Sequence, residues 1–236
     1  MPLKKSVGNM YPWVTHTHSQ LGGQCQHLCS YCYIDNPRWG RPERYKGEIR
    51  IITKERYVQY GSGKTIFIEN CNDLFAMRVK DHLILEVLRH CEDYPENTYV
   101  FQTKNPERYQ DYIPFMRGHL KKFILGTTIE TNRDISISKA PSPEERKNAM
   151  VAINHKENVD MFVTIEPVLD FDVEILAGWI RDISPKFLNL GADSKNHGLP
   201  EPSFEKIVEF TARLKEFGIE LREKHNLQRL KTGDRT

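Results

Sequence analysis

Short apolar runs alternate with amphipathic stretches along most of the chain. Thr65 to Glu69, Thr98 to Thr103, Phe123 to Glu130, Met161 to Glu166 and Phe187 to Leu190 are β-branched or aromatic runs of strand length, and Tyr11 to His16 is an earlier, first run. From Ala76 to Cys91, the residues Ala76, Val79, Leu83, Val87 and Leu88 fall on one helical face. Asn105-Pro106 has the form of a helix start, with Asn as the cap and Pro first inside. Ser142-Pro143-Glu144-Glu145 has capping-box spacing and predicts a helix to about Asn154. Val173, Leu176, Ile180 and Ile183 mark another helix. Ser203 opens a last one lined by Phe204, Ile207, Thr211, Leu214 and Phe217, and Gly218 stops it. Ile219 to Leu221 is a candidate final strand.

The order is a strand and a loop, then five βα units. Such alternation predicts parallel strands joined by helical crossovers. Ile66-Phe67-Ile68 and Phe123-Ile124-Leu125 are continuous apolar runs, as strands covered on both faces require. Six strand runs fall short of the eight of a closed barrel. The expected fold class is therefore α/β: a partial (β/α)6 TIM-like barrel with parallel strands. A doubly wound sheet is the alternative, because strand order is not written in this pattern.

Composition narrows the picture. A chain of 236 residues suits one large domain, expected over 1–222, with 223–236 a polar, basic and loosely held tail. The apolar and charged fractions are those of an ordinary soluble protein, and a formal charge of +2 points by itself to neither nucleic acid nor membrane. No run of about 18 apolar residues exists to span a bilayer. Met1-Pro2-Leu3-Lys4-Lys5 lacks a following apolar core, so no signal peptide is expected and the expected compartment is the cytoplasm. Cysteines there more often bind metal or act chemically than form disulfides.

Three of the five cysteines lie within Cys25-Gln26-His27-Leu28-Cys29-Ser30-Tyr31-Cys32, spaced C-x3-C-x2-C. Electron-transfer clusters of four irons use four cysteines; three would leave one iron open to a small molecule. The strand ends converge on the same theme. They carry Glu69-Asn70-Cys71-Asn72-Asp73, Gln102-Thr103-Lys104, Thr128 to Arg133, Glu166-Pro167 and Asn189 to Asp193, and ligands in parallel α/β folds bind where strands end.

The cysteine loop, with Tyr31 before its last cysteine and a βα series after it, resembles the radical S-adenosylmethionine (radical SAM) superfamily. Gln102 to Pro106 and Glu166-Pro167 resemble segments of spore-photoproduct-lyase-like and of phage and bacterial radical SAM proteins. The resemblance implies that Cys25, Cys29 and Cys32 hold a 4Fe–4S cluster whose open iron chelates S-adenosyl-L-methionine. It implies a reductive cleavage to methionine and a 5′-deoxyadenosyl radical, which takes hydrogen from a substrate. An external one-electron donor such as flavodoxin or ferredoxin is implied as partner, with a small-molecule, nucleotide or nucleic-acid substrate and no membrane. The family's Gly-Gly-Glu-like segment is replaced here by Glu69-Asn70-Cys71-Asn72-Asp73, so Glu69, Asn70 and Asp73 are the candidates for the cofactor ammonium. Thr128 and Glu130, two apart on one strand, are candidates for the ribose hydroxyls, and Arg133 for the carboxylate. Tyr31 and Tyr33 would shield the cluster or pack near adenine, and Glu166 is a further rim candidate. Cys71 is the candidate hydrogen donor to a product radical; Cys91, at a helix end, is expected to be structural.

Blander readings stand beside these. His27 or His16 would complete a zinc site with the cysteines, and Lys104 is either a solvated charge or a substrate contact. Residues 37–50 mix Arg38, Arg41, Arg44, Lys46 and Arg50 with Trp39 and Tyr45, a combination that tracks phosphates and stacks on bases, or simply covers the barrel as a solvated loop. The alternative function is a zinc-binding module that recognises nucleic acid without catalysis.

Overall fold

The computed structural model describes residues 3–8, 10–35, 40–195 and 197–232. Arg38 and Trp39 of the basic segment lie outside them. The main strands are β1 (Lys4–Lys5) and β2 (His16–His18), then β5 (Thr65–Ile68), β6 (Thr98–Thr103), β7 (Phe123–Thr128), β8 (Asp160–Ile165), β9 (Phe187–Leu190) and β10 (Glu220–Glu223). A separate two-stranded ribbon pairs β3 (Leu21–Gly22) with β4 (Arg50–Ile51). The helices are α1 (Asp81–Glu92), α2 (Tyr109–Met116), α3 (Pro143–Lys156), α4 (Val173–Ile183), α5 (Phe204–Glu216) and α6 (Gln228–Thr232).

The sheet runs β1-β2-β5-β6-β7-β8-β9-β10. From β2 to β10 every neighbouring pair is parallel; only β1 is antiparallel. Spatial order follows chain order without a switch point, which is barrel winding and not the doubly wound alternative. The parallel strands number seven, one more than the six runs anticipated, because β10 joins the edge, and the antiparallel β1 makes eight.

Two cores follow from the period-two alternation of strand side chains. Ile66, Ile68, Phe101, Leu125, Val163 and Leu188 face outward and pack with the helices. Phe67, Val100, Phe162 and Phe187 face inward and form a second, smaller cluster with Tyr11 and Val14. The run from Tyr11 is therefore not the first strand, which begins only at His16; it is a plug inside the half-barrel. Its Tyr11 hydroxyl donates to Gln102 Oε1 at 2.6 Å and lies 2.7 Å from Thr164 Oγ1, so the aromatic floor ends where the polar rim begins. Gly126 makes room for this floor: a Cβ there would lie 2.2 Å from the Phe162 ring.

Several local expectations hold. Ser142 and Glu145 form the reciprocal capping box, and Ser203 caps α5. Gly218 adopts φ +73, the left-handed stop expected of it. Others shift. α1 begins at Asp81 rather than Ala76, with Ala76 and Val79 buried in the preceding turns. Asn105 makes no side-chain cap; its amide donates to Phe75 O at 2.9 Å and ties two rim loops together. The described part of the expected loose tail is anchored instead. Leu227 is fully buried, and Asn226 donates to Ala192 O at 2.6 Å, because β10 brings this polar stretch against the end of β9.

Candidate active site

The strand ends enclose a cavity of about 500 Å³. Cys25, Cys29 and Cys32 line it on one side, with Cys71 beside them, and all are free thiols. The cysteine loop is fixed by backbone bonds on both flanks. Ser30 N donates to Ile137 O at 2.9 Å, Lys139 N to His27 O at 2.6 Å, and Cys32 N to Cys29 O at 3.1 Å. Burial pushes the Cys25 thiol up to about 12 and raises Cys29 as well. Thiolates here need a nearby cation to form, which is what a metal supplies.

Asp73 does not offer a free acceptor. It is buried and accepts from Thr103 Oγ1 at 2.7 Å, Lys104 N at 2.8 Å and Phe75 N at 3.0 Å, and it lies 2.8 Å from His27 Nε2. Burial alone would raise its carboxyl, but His27 and these donors outweigh burial and hold it low. Its work is to clamp the cysteine loop through His27. His27 has its Nε2 engaged but lines the cavity with its buried Nδ1 unpartnered, whereas His16 contacts Thr15 outside the cavity. Among the described residues, no three His, Cys, Asp or Glu side chains converge to hold a single metal ion.

Glu69 and Asn70 do face the cavity. Glu69 sits at φ +61 after β5 and is buried. Its Oε1 accepts from Gln20 N at 2.5 Å and Leu21 N at 3.0 Å, while its buried Oε2 has no hydrogen-bond partner. Burial lifts its carboxyl to about 7. Asn70 Oδ1 accepts from Ser19 Oγ at 2.8 Å. Tyr33 donates to Asn70 O and, at 3.4 Å, to Cys71 Sγ.

Glu130 and Arg133 correct the fourth-strand expectation. Glu130 is fully buried and is not among the cavity-lining residues; it pairs with Lys104, with Arg146 at 2.9 Å, and accepts from the Tyr31 hydroxyl. Tyr31 lines the cavity with its hydroxyl held by this charged network, accepting from Lys104 Nζ and donating to Glu130. Arg133 spends its donors on Asp170 and Asp172, the latter at 2.7 Å, away from the cavity. Thr128 remains at the rim, accepting from Gln102 Nε2 at 2.8 Å.

The opposite wall was only partly foreseen. Glu166 lines it, 2.7 Å from Lys224 Nζ and accepting from Asn226 at 2.8 Å. Buried Asp193 lies 2.6 Å from His197 Nδ1, and Lys195 reaches across to Tyr33 O at 3.3 Å. The rim rule that found Asp193 would also have found Lys224, had 219–223 been weighed as a strand like the others. The basic segment is largely self-satisfied: Arg41 pairs with Asp35, Arg44 with Glu55 at 2.7 Å, Lys46 with Glu43, and Arg50 bonds two backbone carbonyls. Cys91 is a buried core residue, as expected.

The partial barrel of parallel strands with flanking helices resembles the fold of solved radical SAM enzymes. Spore photoproduct lyase superposes with a TM-score of 0.65 at 12% identity, over 94% of this chain and 81% of that one. SuiB of Streptococcus suis, in complex with its precursor peptide SuiA, gives 0.64 at 10% identity over 92% of this chain and 50% of that one. The anSMEcpe structure, with bound AdoMet and a peptide, gives 0.52 at 11% identity over 87% and 62%. These likenesses show the fold. No curated protein matches the sequence. Residues 12–180 match the family described as "Protein of unknown function (DUF5131)", and the chain belongs to that family.

Proposed function

We propose that this protein is a radical SAM enzyme whose Cys25, Cys29 and Cys32 hold a 4Fe–4S cluster and whose cavity receives S-adenosyl-L-methionine and a substrate. The observation that carries the reading is the placement of three free thiols and the partnerless Glu69 Oε2 on one cavity wall. The donor set suits a cluster with an open corner better than a zinc ion, which takes four ligands converging on one point. When bound, the two cofactors supply one-electron reductive cleavage and a 5′-deoxyadenosyl radical able to abstract hydrogen.

The chain's own residues do the positioning. Asp73 and His27 hold the cysteine loop, and the Tyr31–Lys104–Glu130–Arg146 network braces its far end. Glu69 Oε2, buried and without a partner, is suited to accept from the cofactor ammonium, with Asn70 alongside. Thr128 is the ribose contact that remains once Glu130 is removed from that pair, and with Arg133 turned to Asp170 and Asp172 the carboxylate contact is left unassigned. Cys71, held by Tyr33 at the rim, is the candidate hydrogen donor to a product radical. The substrate lies between this wall and Glu166, Asp193, His197 and Lys195. Nucleotides and peptides are both candidate classes, since the lyase has been captured with a dinucleoside photoproduct and SuiB with a peptide. We place the protein in the cytoplasm, where such thiols stay reduced.

Anaerobic reconstitution with iron and sulfide tests the ligand assignment. The wild type is expected to bind about four irons per chain and to absorb broadly near ~400 nm. Cys29→Ala should lose the iron, while Cys71→Ala should keep it; unchanged iron in Cys29→Ala would sink the assignment.

A further inference from the structure

The outward side of the cysteine loop has features that the cavity does not explain. Leu28 lies between Cys25 and Cys29, yet it is absent from the cavity lining while His27 and Cys29 are part of it. It is 39% exposed at φ +46, a left-handed conformation that strains an L-residue. A leucine held in strain and turned to solvent beside two of the sulfurs is a poor solution for packing alone. Met77, 68% exposed, lies on a segment tied to the same loop: the following residue, Arg78, donates its N–H to Gln26 Oε1 at 2.7 Å, two residues before Leu28. On the other flank, Lys139 N bonds His27 O and Ile137 O accepts from Ser30 N.

Cations lie on the segments bonded to this loop: Arg78 and Lys139 reach Gln26 and His27 through their backbone N–H groups, and Lys80 follows two residues after Arg78. Arg78, Lys80 and Lys139 are exposed, and none is within ion-pair distance of a carboxylate among the described residues. The nearby acids do not cancel them: Asp81 is taken by Arg108 and Tyr112, which leaves exposed Asp134 on the flank. The chemistry of the site requires what this face offers. Reductive cleavage consumes one electron per event, which a donor outside the cavity supplies. On the radical SAM reading the substrate fills the cavity, which leaves the outward side of the loop to the electron donor.

We propose that Leu28 and Met77, together with Arg78, Lys80 and Lys139, form the docking surface for a small acidic electron-carrier protein. The inference rests on the radical SAM reading, because only that chemistry calls for a donor here. Acidic complementarity would steer encounter and make binding salt-sensitive, while the apolar centre excludes water over the shortest path to the sulfurs.

The test uses reconstituted protein and flavodoxin as the probe. Binding of oxidised flavodoxin is followed by fluorescence anisotropy, and 5′-deoxyadenosine is followed with either reduced flavodoxin or dithionite as donor. In the triple variant Arg78→Glu, Lys80→Glu, Lys139→Glu, affinity for flavodoxin should fall about tenfold or more. Flavodoxin-driven product should fall with it, and dithionite-driven product should stay at the wild-type level. Reversing Lys54 and Lys215, on other surfaces, should change nothing. The proposal is overturned if the triple variant binds flavodoxin as the wild type does, or if both donors fail equally, which would assign these residues to holding the loop. If wild-type protein yields no 5′-deoxyadenosine even with dithionite, the radical reading fails by itself. The anisotropy arm, repeated on that protein, still decides whether this surface takes an acidic partner.

Discussion

The ends of β5 and β7 each deliver a buried glutamate to the same rim, and the two could hardly be treated more differently. Glu130 is enclosed by Lys104, Arg146 and the Tyr31 hydroxyl; burial would raise its carboxyl, but the two cations outweigh burial and hold it below the usual range. Glu69 receives two backbone N–H groups on one oxygen and nothing on the other, and burial lifts it to about 7. One carboxylate is a structural counter-ion. The other is a buried acceptor with one oxygen unpartnered, the group we propose for the cofactor ammonium. Residue type and strand-end position are the same, and only the partners separate structure from function.

Breaking the paired region should have the largest effect. Glu130→Ala leaves Arg146 and Lys104 buried against each other without a counter-charge, and chemical denaturation should show a loss of about 3–5 kcal/mol. A loss below about 1 kcal/mol would mean that water already screens this network.

Relieving the unpaired region should do the opposite, with a pH signature. The folded protein holds the Glu69 proton to about pH 7, whereas an ordinary glutamate releases it near 4.5. The native state therefore binds more protons between these values. Its contribution to stability is present below the lower pH and is lost as pH rises through the upper one. Glu69→Gln removes this term, so the cofactor-free variant should be more stable than the wild type at pH 8, by up to about 3 kcal/mol, with little difference at pH 4. Equal stability at both pH values would contradict the burial argument. Glu130 should slope the other way, losing its contribution as pH falls below the ordinary glutamate value.

Smaller substitutions sharpen the contrast. Lys104→Met removes one of two cations from Glu130 and one donor from Tyr31, and should cost about 2 kcal/mol. Tyr31→Phe removes the hydroxyl's hydrogen bond to Glu130 and the one it accepts from Lys104 but leaves both ion pairs in place, and should cost about 1 kcal/mol. If Tyr31→Phe cost as much as Glu130→Ala, the hydroxyl and not the ion pairs would be the keystone of this region.

The comparison also marks how far the chain could be read unaided. Parallel alternation was legible because strand runs such as Phe187–Leu190 and capped helices such as Pro143–Lys156 carry their own local signals. The cysteine loop was legible from spacing. The Tyr11 plug was not, since an apolar run inside a barrel looks like a strand until its partners Phe67 and Phe162 are known. Neither were the roles of Asp73, Glu130 and Arg133. Each depends on a partner far along the chain: His27 for Asp73, Arg146 and Lys104 for Glu130, Asp170 and Asp172 for Arg133. Lys224 and Asn226 were lost to a supposed tail because β10 is polar on its own and becomes a strand only against β9.

The most direct test of the central claim is product formation. Reconstituted wild-type protein, reduced anaerobically with dithionite in the presence of S-adenosyl-L-methionine, is assayed by chromatography for 5′-deoxyadenosine and methionine. Release of both in equal amounts, abolished in Cys29→Ala, is the predicted result. A brown, iron-loaded protein that never releases 5′-deoxyadenosine, or a colourless one that carries a single zinc, would contradict it.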